Sequence, residues 1–306
     1  MNILVTGGAG FIGSHISDAL IDDGHKITIV DNLSIGKIEN VPSDAEFIRV
    51  DITDKELSDV FEDGKFDIVY HLAAQMDVRV SVSDPVADLM TNIAGSVKIL
   101  SLCVEHNVKR FIFASSGGTV YGEQEVFPAS ESHSLNPICP YGVAKLAVEK
   151  YMYFYYREYG INAVSLRYGN VYGPRQNPMG EAGVVAIFCH KLLSGVQPYI
   201  NGDGLQTRDY IYVNDVVRAN LSALKQDGFH ILNIGTGKET NVVTIFDMLS
   251  KHTGSNAERK HREEAPGEQR RSVIDPSLVG RILNWYPTIE LEEGLALTVK
   301  YFKEQY

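Results

Sequence analysis

Residues 3–13 read Ile-Leu-Val-Thr-Gly-Gly-Ala-Gly-Phe-Ile-Gly, an apolar run that leads directly into a glycine-rich turn. Gly8, Gly10 and Gly13 have Gly-x-Gly-x-x-Gly spacing, and Gly7, Gly10 and Gly13 recur at every third position. Glycine lets the backbone turn tightly and approach a pyrophosphate, whose charge the N-terminus of the next helix stabilises. The stretch therefore predicts a strand, a dinucleotide-binding turn and a helix.

The end of the second predicted strand carries an acidic residue. Residues 30–32 read Val-Asp-Asn and follow the turn by about 20 positions, the distance typical of dinucleotide-binding units. A carboxylate at this place accepts hydrogen bonds from the adenine ribose hydroxyls and repels a 2′-phosphate. Asp31 therefore predicts NAD, rather than NADP, as the cofactor.

The composition is that of a globular protein with an acidic surface. Of 306 residues, 44% are hydrophobic and 22% are charged, and 28 Lys and Arg oppose 39 Asp and Glu, which gives a net charge of -11. This apolar content excludes an intrinsically disordered chain. Nucleic acids and anionic lipid surfaces are bound by basic surfaces, so we expect neither a nucleic-acid partner nor a membrane partner.

Cysteine usage and the first residues predict a cytoplasmic protein. Cys103, Cys139 and Cys189 are widely spaced and form no CxxC or Cys/His cluster, which argues against a disulfide framework and against a metal site. The chain opens without the basic start of a signal peptide. We also find no run of about 18 apolar residues, so we expect no membrane span.

The first half alternates short apolar runs with amphipathic segments, the pattern of βαβ units. Predicted strands cover 2–6, 26–31, 46–50, 67–72, 109–114 and 162–168, and predicted helices cover 12–23, 54–62, 88–106 and 141–159. Beyond about Asn170, prolines and glycines interrupt the pattern. We expect mainly loops and short elements there, with a helix at 214–224, a strand at 230–234 and helices near 242–252 and 292–304. Strands that lie between helices predict an α/β fold with a doubly wound parallel sheet.

A tyrosine and a lysine stand four residues apart within a predicted helix. Tyr141 and Lys145 would share one helix face. The lysine ammonium would stabilise the phenolate and lower the tyrosine pKa from its ordinary value of about 10. Such a phenolate could take a proton from a sugar hydroxyl while hydride leaves the same carbon. The alternative is a surface Tyr–Lys pair, which the preceding cofactor turn disfavours.

Several motifs together resemble one superfamily over essentially the whole chain. Besides the opening turn they are His71-Leu72-Ala73-Ala74, Ser115-Ser116, Val120-Tyr121-Gly122, Tyr141-x-x-x-Lys145, the stretch 167–175 and Arg208-Asp209-Tyr210-Ile211. They resemble the extended short-chain dehydrogenase/reductases and, within these, the NAD-dependent epimerase/dehydratase family, most closely the UDP-glucose 4-epimerases. The resemblance implies a Rossmann-type NAD-binding domain at 1–168 with 209–236, and a smaller C-terminal α/β substrate-binding domain at 169–208 with 237–306.

The resemblance also implies the cofactor contacts. The adenosine and pyrophosphate would be held by Gly7, Gly10, Phe11, Ile12, Gly13, Asp31, Asn32 and Ser34. The rest of NAD would contact Asp51, Ile52, Leu72, Ala73, Ala74, Asn92, Tyr168 and the pair Tyr141 and Lys145. Tyr141 would be the catalytic base and Lys145 its activator. A third catalytic residue, a hydroxyl that assists the tyrosine, would be Ser116, with Ser115 and Thr119 as alternatives.

By the same resemblance, the second half would bind a UDP-sugar. The implied contacts are Ser116, Tyr141, Asn170, Ile200, Asn201, Arg208, Glu268 and Ser272. Arg208 would pair with the diphosphate, since a guanidinium binds phosphate bidentately; the alternative is a surface ion pair with a neighbouring aspartate. Two positions depart from the family pattern: Ala265 stands where an arginine is common, and Met76 where some epimerases have a lysine. Arg262 or Arg270 could replace the missing arginine.

Ser272 would lie beside the C2 substituent of the sugar, where a bulky aromatic restricts relatives to hexoses. A small side chain predicts room for an N-acetyl group. An alignment shifted by one residue would place Arg271 or Val273 there instead.

The missing acids favour one reaction among those of the family. Dehydratases and uronate decarboxylases carry a carboxylate just after the catalytic Ser or Thr, whereas this chain has Gly117-Gly118-Thr119. We therefore expect 4-epimerisation of a UDP-sugar through a transient 4-keto intermediate. UDP-glucuronate 4-epimerisation, another nucleotide-sugar oxidoreductase or dehydratase reaction, and a non-catalytic NAD sensor remain alternatives. The resemblance also implies a homodimer, formed by the apolar segments 93–104 and 151–156.

Overall fold

Short runs of β-branched and aromatic residues form the strands where the sequence predicts them. The computed structural model describes residues 1–179, 183–264 and 269–305. In chain order the strands are β1 (Asn2–Thr6), β2 (Lys26–Val30), β3 (Glu46–Ile48), β4 (Ile68–His71), β5 (Arg110–Ser116), β6 (Asn162–Tyr168), β7 (Asn170–Tyr172), β8 (Tyr199–Asn201), β9 (Thr207–Arg208), β10 (Tyr210–Tyr212), β11 (Phe229–Ile234), β12 (Thr240–Asn241) and β13 (Lys260–Arg262).

Seven of these strands form one parallel sheet in the order β11-β6-β5-β4-β1-β2-β3. The chain runs outward from β1 to β3 on one side and from β4 to β11 on the other, so the order reverses between β1 and β4. Ligands of such sheets bind beyond the carboxyl ends of the strands at this point of reversal. The predicted doubly wound α/β fold is confirmed.

Helices cover both faces of the sheet. They are α1 (Phe11–Asp22), α2 (Leu57–Gly64), α3 (Val78–Ser83), α4 (Pro85–Leu89), α5 (Ser96–Glu105), α6 (Pro140–Tyr159), α7 (Val184–Leu193), α8 (Val213–Ala223), α9 (Val242–Thr253), α10 (Ser277–Leu283) and α11 (Leu291–Lys303). One apolar core contains Ile16 of α1 and Val216 of α8, and a second contains Val60, Ile99 and Val148 of α2, α5 and α6. The sheet is therefore buried on both sides, as its continuous apolar runs predict.

The expectation of mainly loops beyond Asn170 is wrong for residues 184–193, which form α7. Its sequence begins Val-Val-Ala-Ile-Phe-Cys, which is apolar on every side and therefore shows no helical period. The helix packs on α9 and α11 and joins the first apolar core. The proposed two domains thus share one core, and their exact division stays a prediction.

One helical stretch is long and apolar enough to span a membrane, although none was expected from the sequence. Pro85–Glu105 is long and apolar enough to cross a membrane by length and composition alone, with a mean hydropathy of 1.3. Within the protein, 44% of its most apolar window is buried, and α5 contacts α2 and α6. A core helix of a soluble protein passes the same test, so the stretch is weak evidence for a membrane segment.

Candidate active site

The glycine-rich turn after β1 leaves no room for side chains. Gly7 has a φ of +72°, and a Cβ on it would lie 2.6 Å from the backbone nitrogen of Ala73. A Cβ on Gly13 would lie 2.3 Å from the carbonyl oxygen of Gly7. Gly10 precedes α1 without a side-chain cap, so the first-turn N–H groups of Phe11 and Ile12 are available to an anion. This crowded cradle fits the pyrophosphate of a dinucleotide.

Asp31 lies at the carboxyl end of β2 and is only 8% exposed. Its Oδ2 accepts a hydrogen bond from the Ala9 N–H at 3.1 Å and its Oδ1 accepts one from the Leu33 N–H at 2.8 Å. Burial raises the pKa of Asp31, and these two hydrogen bonds partly counteract the rise. A carboxylate offers about four acceptor positions, so two remain for the hydroxyls of a ribose.

A second contact joins the ends of β2 and β3. Asn32 donates a hydrogen bond from Nδ2 to Oδ2 of Asp51 at 2.6 Å, and its Oδ1 accepts one from the N–H of Ser34 at 2.8 Å. Hydrogen bonds from Thr53 and Asn32 hold the pKa of Asp51 below its ordinary value although burial raises it. Ile52 is buried beside this pair. The residues expected around the adenosine therefore lie together, and their contacts with it remain a proposal.

Replacing Asp31 with Ser should weaken NAD binding by at least about tenfold, because hydrogen bonds to a charged acceptor contribute about 1.5–3 kcal/mol each. Discrimination against NADP should relax at the same time, because the repulsion of a 2′-phosphate is lost. Titration of the apo-protein with each cofactor measures both effects. Asp63→Ser, a change at an exposed residue of α2, should alter neither. Equal affinities for NAD and NADP in the unmutated protein would contradict the role of Asp31.

A neutral histidine lies beneath the carboxyl end of β4. His71 is fully buried and its ring nitrogens contact the hydroxyls of Thr6 at 2.7 Å and Ser96 at 2.8 Å. Burial lowers its pKa to about 3. The backbone that follows it is tied to β1, because Leu72 donates its N–H to Thr6. These bonds place the partly exposed segment 72–74 at the edge where the cofactor is expected.

Asn92 is buried in a π-helical turn, Met90–Gly95, that joins α4 to α5. Its Oδ1 accepts the Gln75 N–H, and its Nδ2 donates to the carbonyl of Gln75 and to Oδ1 of Asp88, each at 2.8 Å. The amide therefore holds the segment that follows Ala74. A direct contact with the cofactor remains a prediction for this residue.

Tyr141 and Lys145 lie on adjacent turns at the start of α6, as predicted. Nζ of Lys145 lies 5.5 Å from the centre of the Tyr141 ring and 4.6 Å from that of Phe113. The ammonium donates a hydrogen bond to the carbonyl oxygen of Ala114 at 2.8 Å. Burial lowers the pKa of Lys145 to about 8, while Asp88 and Glu149 act in the opposite direction. The strand end of β5 thus holds the cation beside the phenol.

The predicted effect on the tyrosine pKa is wrong for the protein without its cofactor. Burial raises the pKa of Tyr141, and the nearby Cys139 and Asp88 raise it further. Burial is the largest cause, because a phenolate loses solvation where water is excluded.

The serines after β5 have different partners. Ser115 donates a hydrogen bond to Oε1 of Glu149 at 2.7 Å inside the protein. Ser116 and Asn170 both lie near Gly118, since a Cβ on that glycine would be 3.9 Å from Oγ of Ser116 and 3.8 Å from Oδ1 of Asn170. Oγ1 of Thr119 is buried without a hydrogen-bond partner. This arrangement favours Ser116 over Ser115 as the assisting hydroxyl.

Sequence reasoning missed the buried network behind these residues. Arg167, 1% exposed, forms an ion pair with the fully buried Glu149 at 2.6 Å. The same arginine donates to the hydroxyl of Tyr121 at 2.9 Å, which in turn donates to Oδ1 of Asn233 at 2.6 Å. The network joins α6, β6 and β11 behind the catalytic pair. The sequence signal for this network was Glu149, which stands four residues after Lys145 and therefore lies on the same helix face.

Tyr168, expected at the cofactor, contributes its side chain to the core instead. Its hydroxyl lies 3.0 Å from Oδ1 of Asn220 on α8, and only 6% of the residue is exposed. Its carbonyl oxygen accepts the N–H of Gly117. Only the main chain of Tyr168 is left to contact NAD.

Three proposed substrate residues meet around β9. The N–H of Asn170 on β7 donates to the carbonyl of Asp209 at 2.7 Å, directly after Arg208. The N–H of Ser272 donates to the carbonyl of Thr207 at 3.2 Å, directly before Arg208. The segment that contains Ser272 therefore lies beside the arginine, although 64 positions separate them in the sequence.

The residues expected to flank the uracil lie on β8, which pairs with β13. Ile200 is fully buried in the apolar core, so only its main chain can contact a ligand. Asn201 accepts a hydrogen bond at Oδ1 from Nε of Arg262 at 2.6 Å. Both ends of the guanidinium of Arg270, in contrast, bind Asp203 at 2.8 Å. Of the two arginines considered as replacements, Arg262 contacts Asn201, whereas the main chain of Arg270 accepts the N–H of Thr207, directly before Arg208.

Glu268 and Ala265 lie outside the described residues. Within the described ranges, no group of three or more His, Cys, Asp or Glu side chains is arranged to hold a metal ion. Cys103, Cys139 and Cys189 are free thiols. The groups that fit NAD are the crowded glycine turn and the remaining acceptor positions of Asp31.

Comparison with known proteins agrees with this geometry. A model described as the NAD dependent epimerase/dehydratase family matches residues 3–235. A putative UDP-glucose 4-epimerase of Methanocaldococcus jannaschii is 46% identical over 301 residues and 98% of each chain is covered.

Two solved structures are also similar to the chain over its whole length. The UDP-glucose 4-epimerase of Thermotoga maritima with UDP-glucose has a TM-score of 0.98 and 48% identity, with 100% of this chain and 99% of that chain covered. A UDP-N-acetylglucosamine 4-epimerase of Methanobrevibacter ruminantium in complex with UDP-N-acetylmuramic acid has a TM-score of 0.94 and 39% identity, with the same coverage.

Proposed function

The chain belongs to the NAD-dependent epimerase/dehydratase family, and from this premise we propose that it interconverts UDP-glucose and UDP-galactose, and their N-acetyl forms, by 4-epimerisation. The observation that carries the proposal is the Tyr141–Lys145 pair at the carboxyl edge of a sheet whose glycine turn fits NAD. The chain is an NAD-dependent enzyme, which leaves the alternative of a non-catalytic NAD sensor without support.

Each residue of the catalytic site has a separate role in this reaction. NAD, which the glycine turn and Asp31 would hold, would supply the hydride acceptor for C4 of the sugar. Tyr141 takes the proton of the C4 hydroxyl and gives it back, while Lys145 stabilises its phenolate electrostatically. Ser116 donates a hydrogen bond to the C4 oxygen. Rotation of the 4-keto sugar within the site would present its opposite face to the cofactor, which would invert the configuration at C4.

The absence of an additional acid supports epimerisation over elimination of water. Among described residues near the pair, Glu149 is bound to Arg167 and Asp88 accepts hydrogen bonds from Gln75 and Asn92. Gly117, Gly118 and Thr119 supply no carboxylate. A dehydratase needs an acid and a base beyond the tyrosine, and the described residues offer none at the site.

Analysis of the purified protein tests the proposal directly. Heat release followed by chromatography should yield NAD, and incubation with UDP-galactose should produce UDP-glucose, followed by NMR of the anomeric protons. The same NMR assay is repeated with UDP-N-acetylglucosamine and with UDP-glucuronate as substrates. Turnover of UDP-glucuronate alone would favour a uronate epimerase, and bound NAD without any turnover would overturn the proposal.

The size of the side chain at 272 should control the choice of sugar. Cζ of Arg271 lies 3.6 Å from the centre of the Phe127 ring, and its guanidinium binds Glu239, while the N–H of Val273 donates to Gln124. Ser272, between these two residues, has the smallest side chain of the three. Ser272→Tyr should abolish turnover of the N-acetyl sugars and preserve that of the hexoses. Ser272→Ala should keep both. Because Ser272 is only 2% exposed, thermal unfolding is measured alongside; an equal loss of both activities would contradict the assignment.

We propose a homodimer through a bundle of four helices, two from each copy. The stretch 85–105 exposes Val86 by 69%, Leu89 by 47% and Met90 by 52%, and α6 exposes Tyr151 and Phe154. Part of the segment expected to form the interface faces the core instead, since Ile99, Leu100 and Cys103 are buried. Exposed apolar side chains on helices that contact each other, α4 and α6, favour a partner, and sedimentation of Val86→Asp against the unmutated protein tests the dimer.

The full-length likeness to soluble homologues implies a soluble protein. We propose a cytoplasmic location, which the unpaired thiols support.

A further inference from the structure

Asp209 is a buried carboxylate between the strand that carries Arg208 and the segment that carries Ser272. Only 2% of the residue is exposed. A Cβ on Gly235 would lie 2.5 Å from its Oδ2, so the carboxylate is enclosed by backbone. The mechanism described above does not use this group.

The carboxylate of Asp209 accepts four hydrogen bonds. Its Oδ1 accepts from the N–H of Thr236 at 2.8 Å and from the hydroxyl of the same residue at 2.5 Å. Its Oδ2 accepts from the N–H groups of Gly237 at 3.0 Å and Ile274 at 3.3 Å. Four donors match the acceptor positions of an ionised carboxylate, and every partner donates. An amide at this position would therefore point an N–H at another donor.

The main chain of Asp209 also takes part in a hydrogen bond. Its carbonyl accepts the N–H of Asn170, while the carbonyl of Thr207, two residues earlier, accepts the N–H of Ser272. The strand 207–209 thus touches Asn170 on one side and the segment 272–274 on the other, with Arg208 between them. A change at Asp209 would alter the spacing of all three.

We propose that Asp209 is a positioning residue for the nucleotide sugar, which keeps the diphosphate contacts and the sugar contact in one register. The proposal rests on the proposed function, because Arg208, Asn170 and Ser272 are the contacts that the family resemblance implies for its UDP-sugar substrate. One carboxylate then links recognition of the diphosphate by Arg208 and Asn170 to recognition of the sugar by Ser272.

Asp209→Asn tests the proposal with almost no change in volume. The KM for UDP-galactose should rise at least about tenfold, and the affinity for UDP alone should fall by a similar factor, because a lost bond to a charged acceptor has effects of this size. The kcat should stay within about threefold, since Lys145 is held by Ala114 and not by this network. The content of bound NAD should not change.

Asp215→Asn is the matched control. Asp215 is also fully buried and accepts hydrogen bonds from Thr288, Ile289 and Arg218. Both variants should lower the unfolding temperature, and only Asp209→Asn should raise the KM. A similar rise in KM in both variants, or no rise in Asp209→Asn, overturns the positioning role.

A milder pair of variants keeps the test decisive if Asp209→Asn does not fold. Thr236→Val removes the hydroxyl that donates to Asp209 and should raise the KM about threefold or more, whereas Thr236→Ser should restore it. If the unmutated protein binds no UDP, the proposed function fails. If it binds UDP and every variant at 209 and 236 binds UDP equally well, only the positioning role fails.

Discussion

Tyr141→Phe should lose epimerase activity by about 10²–10⁴-fold, because the reaction loses its positioned proton acceptor. The fold should survive, since the phenol makes no hydrogen bond that holds two elements together in the described part of the chain. The content of bound NAD should remain near that of the unmutated protein. Initial rates with UDP-galactose and release of NAD on heating measure the two effects.

Tyr153→Phe on the same helix is the control for this substitution. Tyr153 is 47% exposed, and its ring packs against Phe229. Its rate should match that of the unmutated protein. A Tyr141→Phe enzyme that retains more than about a tenth of the activity would contradict the assignment of Tyr141 as general base.

Glu149→Ala should lower the free energy of unfolding by about 3–5 kcal/mol, because removal of one partner leaves Arg167 as an uncompensated buried charge. Ser115 and Ser165 also lose their acceptor, Oε1 of the same carboxylate. Urea unfolding followed by fluorescence and by circular dichroism measures the loss, and coincident transitions justify a two-state treatment.

Two further variants test whether the loss of stability comes from leaving a buried charge unpaired. Glu290→Ala breaks the exposed ion pair with Lys238, whose side chains are 76% and 67% exposed, and should change the free energy of unfolding by about 1 kcal/mol or less. The double replacement Glu149→Leu with Arg167→Met should recover most of the loss, because it removes both charges. A loss below about 1 kcal/mol in Glu149→Ala would show that water reaches Arg167.

The elements that the sequence predicts well are those whose evidence is local. The strand, glycine turn and helix at residues 2–22 occupy one continuous stretch, and Asp31 follows at a characteristic distance. Tyr141 and Lys145 lie on adjacent turns of one helix. In each case the residues that interact are close in the sequence, so spacing alone predicts their contact.

The parts that sequence reasoning missed depend on distant contacts. Asp209 binds donors 27 and 65 positions away, and nothing in the spacing of its own motif indicates them. Helix α7 has no amphipathic period because it is apolar on all sides. The pKa of Tyr141 could not be predicted from Lys145 alone, since the burial that raises it comes from the folded surroundings.

The buried ring of His71 determines how the folded protein responds to acid. Burial lowers the pKa of this ring to about 3, so its charge is constant throughout the range in which a free histidine titrates. The unfolded chain takes up a proton at this position below about pH 6.5, whereas the folded chain does not. Between about pH 6.5 and pH 3, each unit of acidification therefore lowers the stability contributed by this position by about 1.4 kcal/mol, and below pH 3 the loss stops because the folded ring is protonated too. The ring that stays uncharged beneath the edge where the cofactor is expected is, for the same reason, a limit on acid tolerance.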